Sequence, residues 1–251
     1  MRVLLLSPYE ESAVESTIKN DGRVSYTKIS RKVTLQDVEG HCLLISYGYR
    51  YIIPPEILGY FNHRCFNLHV GFLPDCPGAG PNVSSWLYGL KKGVTIHELV
   101  EEVDAGPIIA QKEILESEFG DLSRETLRTT YNVLRREIET LFASIWDNCV
   151  RDDVVRISQN PVKFNAPCWR QHQIDLLLKE VSNGYDTTIE QVRADISENE
   201  TVFAWMDADN FFKDEPAVSA PDTHKDPINA TLSGDPRGGS KGKSTTAKNC
   251  L

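Results

Sequence analysis

Apolar residues in the first seventy positions fall into short β-rich runs that are separated by polar stretches. The segments "VLLL", "VSYTKI" and "CLLISY" each predict a strand, and "EESAVESTIKN" and "PPEILGYF" predict helices, the second with Pro in its first turn. Strands that alternate with helices are typical of a parallel sheet covered by helices. The pattern therefore predicts an α/β fold.

The pattern changes after Lys92. Two strand-like segments, "GVTIHEL" and "GPIIAQKEIL", are joined by the acidic "VEEVDA", which predicts a hairpin or a strand pair with a long loop. A long helix should follow and cover the sheet, with Ser123 as its N-cap, because apolar residues then recur every three or four positions. These residues are Leu127, Tyr131, Leu134, Ile138, Leu141 and Ile145.

The C-terminal third differs in composition from the rest of the chain. The segment "IDLLLKEVSNGYDTTIEQVR" predicts two short helical pieces broken at Asn183-Gly184. Beyond Pro216 there are no aromatic residues, and Gly, Pro, Ser and Thr dominate, which is typical of a flexible tail. We therefore predict a main domain over 1–150, a small appendage over 151–215 and a tail over 216–251.

Charge and cysteine usage narrow the class of protein. The chain has 251 residues and a net charge of -9, which argues against sequence-independent electrostatic binding to nucleic acid. No apolar run approaches the roughly 18 residues of a membrane span, and the opening run is shorter than the core of a signal peptide. Six cysteines without paired spacing favour reduced thiols and a cytoplasmic location.

The segment "HRCFNLH" offers His63, Cys65 and His69 to a metal. Ordinary burial in a strand competes with this interpretation and no second ligand cluster is present, so we predict no metal site.

Asn67 and His69 are two apart on a predicted strand, so their side chains share a face within roughly 7 Å of each other. The strand leads into a Gly- and Pro-rich loop, and such carboxyl ends of parallel strands bind ligands. Taken alone, an Asn and a His on a strand more often form a satisfied core network than a catalytic pair.

The residues that follow make this pair specific. After Asn67 and His69 come "LP", "GAGPN", Trp86, "GVTIH" and "EEVDAGPII", in this order. The pattern, over about 43–114, resembles the folate-dependent formyltransferase family. The resemblance implies a Rossmann-like formyltransferase sheet with flanking helices and a small C-terminal appendage.

That family transfers a formyl group from N10-formyltetrahydrofolate to an amine, and the resemblance assigns catalysis to Asn67, His69 and Asp104. The amide of Asn67 suits an oxyanion donor, His69 suits a general base, and Asp104 would orient His69 or stabilise its cation. One departure is Gly71, where the family commonly has Ser. We expect His97 to be structural.

The resemblance also implies a pterin pocket built from "SYGYRYII" and the loop 101–106, largely through backbone groups. For Tyr49 and Tyr51, plain packing is the competing interpretation. The candidate residues for binding the co-substrate are Ser46, Tyr47, Gly48, Tyr49, Arg50, Ile53, Glu102 and Val103.

Three acceptor classes remain within the resemblance. The segment "LLLSPYEESAV" has no glycine, which argues against the phosphate loop of glycinamide ribonucleotide enzymes, although "DAGPIIAQ" is more similar to that branch. Methionyl-tRNA enzymes have a sizeable OB-type domain and a basic surface, and this chain has neither. The segments "SPYEE", "GAGPN" and "NGYDTTIEQV" look like sugar N-formyltransferases.

We therefore predict that the amine belongs to a nucleotide-linked sugar, such as a dTDP-4-amino-4,6-dideoxyhexose made for surface polysaccharide. Trp169 and Arg170 are candidates for base stacking and phosphate pairing. A homodimer is the candidate assembly, and a non-catalytic folate-binding relative stays as the alternative. The candidate substrate residues are Tyr9, Pro81, Asn82, Trp169 and Arg170.

Overall fold

The computed structural model describes residues 1–159 and 168–198, with side chains through residue 195. One six-stranded sheet has the order β2-β1-β3-β4-β5-β6. Strands β1 to β4 are mutually parallel, and β5 and β6 are antiparallel to their neighbours. The predicted parallel sheet followed by a strand pair is confirmed. The strands are β1 (Arg2–Leu6), β2 (Ser25–Ile29), β3 (Leu43–Tyr47), β4 (Cys65–His69), β5 (Lys92–Glu98) and β6 (Ile108–Ile114).

Helices connect the parallel strands and cover both faces of the sheet. The predicted N-cap of the long helix was wrong: the Oγ1 atom of Thr126 accepts from the N–H of Thr129, whereas Ser123 donates to Asp121 at 2.7 Å in the preceding turn. The helices are α1 (Ala13–Lys19), α2 (Leu35–Val38), α3 (Pro55–Phe61), α4 (Pro81–Leu87), α5 (Leu127–Arg151), α6 (Gln171–Glu180) and α7 (Ile189–Glu198).

Two apolar clusters lie on opposite faces of the sheet, because side chains alternate along each strand. Val3, Leu5 and Ile45 pack in the cluster that includes the inner side of α5. Leu4 and Leu44 pack in the second cluster, which includes residues of α2 and α3. Asn67 and His69 have the same parity as Cys65 of this second cluster, so their side chains leave the sheet on the face opposite α5.

The two C-terminal helices share the larger cluster. Ile174 and Leu177 of α6 and Val192 of α7 are fully buried in it. The break between the helices spans Asn183-Gly184, as predicted, and includes a short 3₁₀ turn, Gly184–Asp186. The proposed boundaries near residues 150 and 215 stay predictions, and the predicted tail lies outside the described residues.

None of the helices within 1–159 and 168–198 combines the length and the hydropathy that a membrane crossing needs.

Candidate active site

Asn67 and Ser46 are adjacent on β4 and β3, and their side chains meet at the carboxyl ends of these strands. The Ser46 hydroxyl donates to Oδ1 of Asn67 at 2.9 Å. The amide nitrogen Nδ2 therefore points the other way, 3.4 Å from Oδ1 of Asp104 and 3.2 Å from Nε2 of His97. The orientation of the amide is fixed by its oxygen, and its N–H groups face the interior of the site.

Asp104 is the centre of the polar network. Its Oδ2 atom lies 3.5 Å from Nδ1 of His69 and accepts from the backbone N–H of Gly78 at 2.8 Å, while Oδ1 lies 3.2 Å from Nε2 of His97. Burial alone would raise the pKa of Asp104, but the two histidines and the Gly78 N–H lower it below its usual range. The site therefore contains a buried carboxylate that stays ionised near neutral pH.

His69 packs tightly at the end of β4. Its Nε2 atom lies 2.7 Å from the backbone carbonyl of Cys76, so both ring nitrogens face oxygen atoms. A Cβ atom at Gly71 would lie 2.7 Å from Nε2 of His69 and 2.5 Å from Cβ of Pro81. The glycine that departs from the family pattern is thus required by the position of the His69 ring.

His97, which we expected to be structural, lies in the polar network around Asp104. It lies opposite Asn67 in the antiparallel pairing of β4 with β5, and Thr95 lies opposite His69. Its Nδ1 atom donates to the carbonyl of Glu98 at 2.8 Å, which leaves Nε2 facing Asp104. One sequence feature could have indicated this position of His97. Thr95 and His97 are polar residues two apart on a predicted strand, as Asn67 and His69 are.

The predicted pterin segment divides between the two sides of the sheet. The side chain of Tyr47 is wholly buried on the α5 side, where its hydroxyl donates to Glu139 at 2.8 Å. The hydroxyl of Tyr49 accepts from Val33 N–H at 2.7 Å and donates to the carbonyl of Arg31 at 2.9 Å. Side-chain contact between Tyr47 and a ligand in the pocket is therefore excluded, and only its backbone can contribute.

Gly48 has a φ of 66°, and a Cβ atom there would lie 2.6 Å from the ring of Tyr9. Close packing on Tyr9 therefore requires glycine at the start of this loop. The other candidates in the two loops differ in burial, since Ile53 is buried whereas Arg50, Glu102 and Val103 are exposed.

Two of the predicted substrate residues, Asn82 and Trp169, have buried side chains. Asn82 is buried and donates to the carbonyl of Leu127 at 2.9 Å and to Thr130 at 3.1 Å, while its oxygen accepts from Trp86 at 3.2 Å. Its hydrogen-bonding groups are used between α4 and α5. Trp169 is only 3% exposed, so its ring is not accessible for stacking on a base.

The remaining substrate candidates have different surroundings. Pro81 begins α4 beside Gly71, and Arg170 is exposed at the N-cap of α6. The ring of Tyr9 is covered by the guanidinium of Arg135, 4.2 Å away, and its hydroxyl lies 2.8 Å from that of Tyr131. Sequence reasoning missed Arg135, although Tyr131, Arg135 and Glu139 recur every four residues along one side of α5.

His63 and His69, which the sequence offered as joint metal ligands with Cys65, lie at opposite ends of β4. His63 pairs with Glu98 at 2.6 Å, whereas the Cys65 thiol contacts the carbonyl of Leu99 at 3.5 Å. Within the described ranges, no group of three or more His, Cys, Asp or Glu side chains is arranged to hold a metal ion.

The sequence of this chain is similar to those of known formyltransferases. The profile of the formyl transferase family matches residues 16–137. The dTDP-4-amino-4,6-dideoxyglucose formyltransferase of Mycobacterium bovis is 42% identical over 76 residues, which are 30% of this chain and 32% of that protein. The methionyl-tRNA formyltransferase of Thermotoga neapolitana is 41% identical over 29% of this chain and 23% of that protein. The matches thus span about a third or less of these curated relatives.

A solved structure aligns over a longer part of the chain. The formyltransferase PseJ from Anoxybacillus kamchatkensis, in complex with UDP-4,6-dideoxy-4-formamido-L-AltNAc and tetrahydrofolate, is 31% identical with a TM-score of 0.68. The alignment covers 76% of this chain and 97% of PseJ. A 4-N formyltransferase from Francisella tularensis, at 21% identity and a TM-score of 0.61, has the same fold.

Proposed function

Because the chain belongs to the formyl transferase family, we propose that it is a folate-dependent N-formyltransferase that acts on a nucleotide-linked amino sugar. It moves the formyl group of N10-formyltetrahydrofolate onto the sugar amine. The observation on which the proposal rests is the Asn67 amide, oriented by Ser46, beside the buried His69–Asp104 pair.

The amide of Asn67 stabilises the charge that develops on the formyl oxygen. Attack by the amine on the formyl carbon gives a tetrahedral centre with a negatively charged oxygen, and Nδ2 of Asn67 donates a hydrogen bond to it. Since Ser46 engages Oδ1, the donor is oriented before the reaction begins. A single preorganised donor of this kind typically lowers the barrier by about 2.7–4 kcal/mol.

His69 accepts the proton that the amine nitrogen loses. Its Nδ1 faces the carboxylate of Asp104, so Nε2 is the atom that receives the proton, and the amine N–H must replace the Cys76 carbonyl as the partner of Nε2. The permanent charge of Asp104 stabilises the imidazolium that forms. When the tetrahedral centre collapses, the bond between the formyl carbon and N10 breaks, and N10 takes a proton from this imidazolium as tetrahydrofolate leaves. General base catalysis of this type contributes about 10²- to 10⁴-fold.

The loops 48–53 and 101–106 have properties that suit the folate. Tyr51, Ile52 and Val103 are exposed, so both loops present apolar surface against which a flat ring can pack. Backbone groups of the same loops would bind the polar edge of the ring. The co-substrate supplies the formyl group, and the chain supplies the donor and the base. PseJ binds tetrahydrofolate, which supports this assignment.

The choice of a nucleotide sugar is supported by the extent of the likeness to PseJ, which binds a UDP-linked formamido sugar and is covered almost completely by this chain. The sugar is a 4-amino-4,6-dideoxyhexose on dTDP or UDP. A role in surface polysaccharide synthesis, a cytoplasmic location and a homodimer stay predictions.

The test is an assay of the full chain with N10-formyltetrahydrofolate and one acceptor at a time. We expect tetrahydrofolate release and a product mass one formyl group larger with dTDP- or UDP-linked 4-amino-4,6-dideoxyhexoses, and neither with methionyl-tRNA nor with glycinamide ribonucleotide. Formylation of one of the last two, with no reaction of any nucleotide sugar, would contradict the acceptor. Folate binding without transfer to any acceptor would favour a non-catalytic relative.

A further inference from the structure

The backbone of the loop that contains Asp104 is bound by the side chain of Gln159, which the proposed mechanism does not use. The amide nitrogen Nε2 of Gln159 donates to the carbonyl of Asp104 at 2.8 Å and to the carbonyl of Gly106 at 2.7 Å. A primary amide has two N–H donors, so this pair of contacts uses both of them. One side chain thus ties together the two carbonyls on either side of Ala105.

The backbone of this loop needs such support. Asp104 has a φ of 53°, in the left-handed region that non-glycine residues adopt infrequently. Gly106 packs directly against the carbonyl of Glu98, and a Cβ atom there would lie 1.9 Å from that oxygen. The backbone hydrogen bond from Ala105 to Glu102 is long, at 3.4 Å. The two bonds from Gln159, at 2.8 and 2.7 Å, are shorter than this backbone hydrogen bond.

Backbone pairing fixes the position of Gln159. Ile157, two residues earlier, exchanges two backbone hydrogen bonds with Ile108 at 2.8 and 2.9 Å, which anchors the segment to the start of β6. The Oε1 atom of Gln159 is buried and has no hydrogen-bond partner among residues 1–159 and 168–195. Within the described residues, the side chain of Gln159 therefore makes hydrogen bonds through its two N–H donors alone.

We propose that Gln159 is a positioning residue that sets the distance between the Asp104 carboxylate and the two histidines. The carboxylate contacts His69, His97 and the Gly78 N–H on one side, and Gln159 holds the main chain on the other. If the main chain relaxes, the carboxylate moves with it and the 3.5 Å contact with His69 is lost. This inference rests on the proposed function for its kinetic consequence but not for its structural one.

The test compares Gln159→Leu, which removes both donors at similar size, with Gln171→Leu as the control. Gln171 is exposed on α6, and its amide nitrogen donates to the carboxylate of Asp175 at 2.9 Å. A third variant, Gln159→Glu, keeps the shape and offers one O–H donor only when it is protonated. Thermal unfolding of each variant establishes that it is folded.

Two measurements follow on the folded variants. Long-range ¹H–¹⁵N spectra of the histidine rings should show that Gln159→Leu shifts the signals of both His69 and His97 toward those of an Asp104→Asn variant. Turnover should fall about 10- to 100-fold, in line with the cost of an ångström-scale misplacement, with KM for the folate changed less than threefold. The ratio of Gln159→Glu to wild-type kcat should rise as pH falls.

Unshifted histidine signals with kcat within twofold of wild type would overturn the proposal and leave Gln159 a packing residue. An equal loss in Gln171→Leu would do the same. If Gln159→Leu does not fold, Gln159→Glu decides by the same spectra. The spectra do not depend on turnover. If the wild-type protein transfers no formyl group, the proposed function fails, but the spectra still show whether Gln159 positions Asp104.

Discussion

Two buried carboxylates lie six residues apart, Glu98 at the end of β5 and Asp104 within the loop that leads to β6, and each contacts two basic side chains. Glu98, 4% exposed, contacts His63 and Arg156, which are 71% and 30% exposed. Asp104, 9% exposed, contacts His69 and His97, which are 6% and 1% exposed. Acid–base pairing by itself therefore does not distinguish a catalytic position from a structural one.

The Glu98 and Asp104 networks differ in the basic side chains that contact each carboxylate. Arg156 keeps its charge at all accessible pH values and also contacts Asp152 and the carbonyl of His63, so the Glu98 network ties the start of β4 to the end of α5. Both partners of Asp104 are imidazole side chains, and the Asn67 amide lies beside them. Proton transfer requires bases that change their charge and a donor next to the reacting group. Only the network around Asp104 meets this requirement.

The most severe test removes one histidine from each network. His69→Ala should lower kcat by at least about 100-fold, because the proton acceptor is lost, while folate binding survives. Asn67→Ala should have an effect of the same order through loss of the oxyanion donor. His63→Ala is the matched control and should leave kcat within about twofold. Near-normal turnover of the His69 and Asn67 variants would remove the proposed site.

The second test changes the two carboxylates. Asp104→Asn should lower kcat by about 100-fold, because the imidazolium of His69 loses the charge that stabilises it. Because the pKa of Asp104 is lowered, its carboxylate is ionised throughout pH 6–9, and the loss should be nearly constant across that range. Glu98→Gln should instead destabilise the fold by about 1–3 kcal/mol with little effect on kcat. The measurements are pH–rate profiles and urea unfolding, and a reversed pattern would contradict the comparison.

A smaller effect is expected when the ring of His69 is displaced. Gly71→Ser introduces a Cβ atom that would lie within 3 Å of both His69 and Pro81, so the ring must move. We expect kcat to fall about tenfold, less than for loss of the imidazole. Gly22→Ser is the control, because no atom lies within 4 Å of the Cβ position there. A Gly71→Ser variant as active as wild type would show that the ring position is not critical.

The smallest effect concerns the orientation of the amide. Ser46→Ala removes the hydrogen bond to Oδ1 of Asn67, and a loss of about 1 kcal/mol corresponds to a roughly fivefold lower kcat. Ser16→Ala, at an exposed position on α1, should not change kcat. Steady-state kinetics with saturating folate makes the comparison. Equal rates for both variants would mean that His97 and Asp104 suffice to orient Asn67.

Local sequence patterns were sufficient for the fold class and for the order of strands and helices along the chain. The assignment of catalysis to Asn67, His69 and Asp104 came from the resemblance to a family and stays a prediction. Apolar alternation and the three- to four-residue spacing are properties of neighbouring residues, so they predict strands and helices directly. They predicted the parallel sheet, the antiparallel strand pair and the long helix α5. They failed where several local partners compete, as at the N-cap, where Thr126 rather than Ser123 occupies the position.

Only the tertiary structure decided which polar residues meet. His63 and His69 lie in the same segment of seven residues, yet the first reaches Glu98 and the second Asp104. His97 contacts the Asp104 carboxylate and Gln159 contacts the Asp104 backbone, whereas Asn82 and Trp169 are buried in the core. The physical reason is that burial, cross-strand register and the return of the Asp104 loop depend on residues far apart in the chain, which local periodicity does not encode.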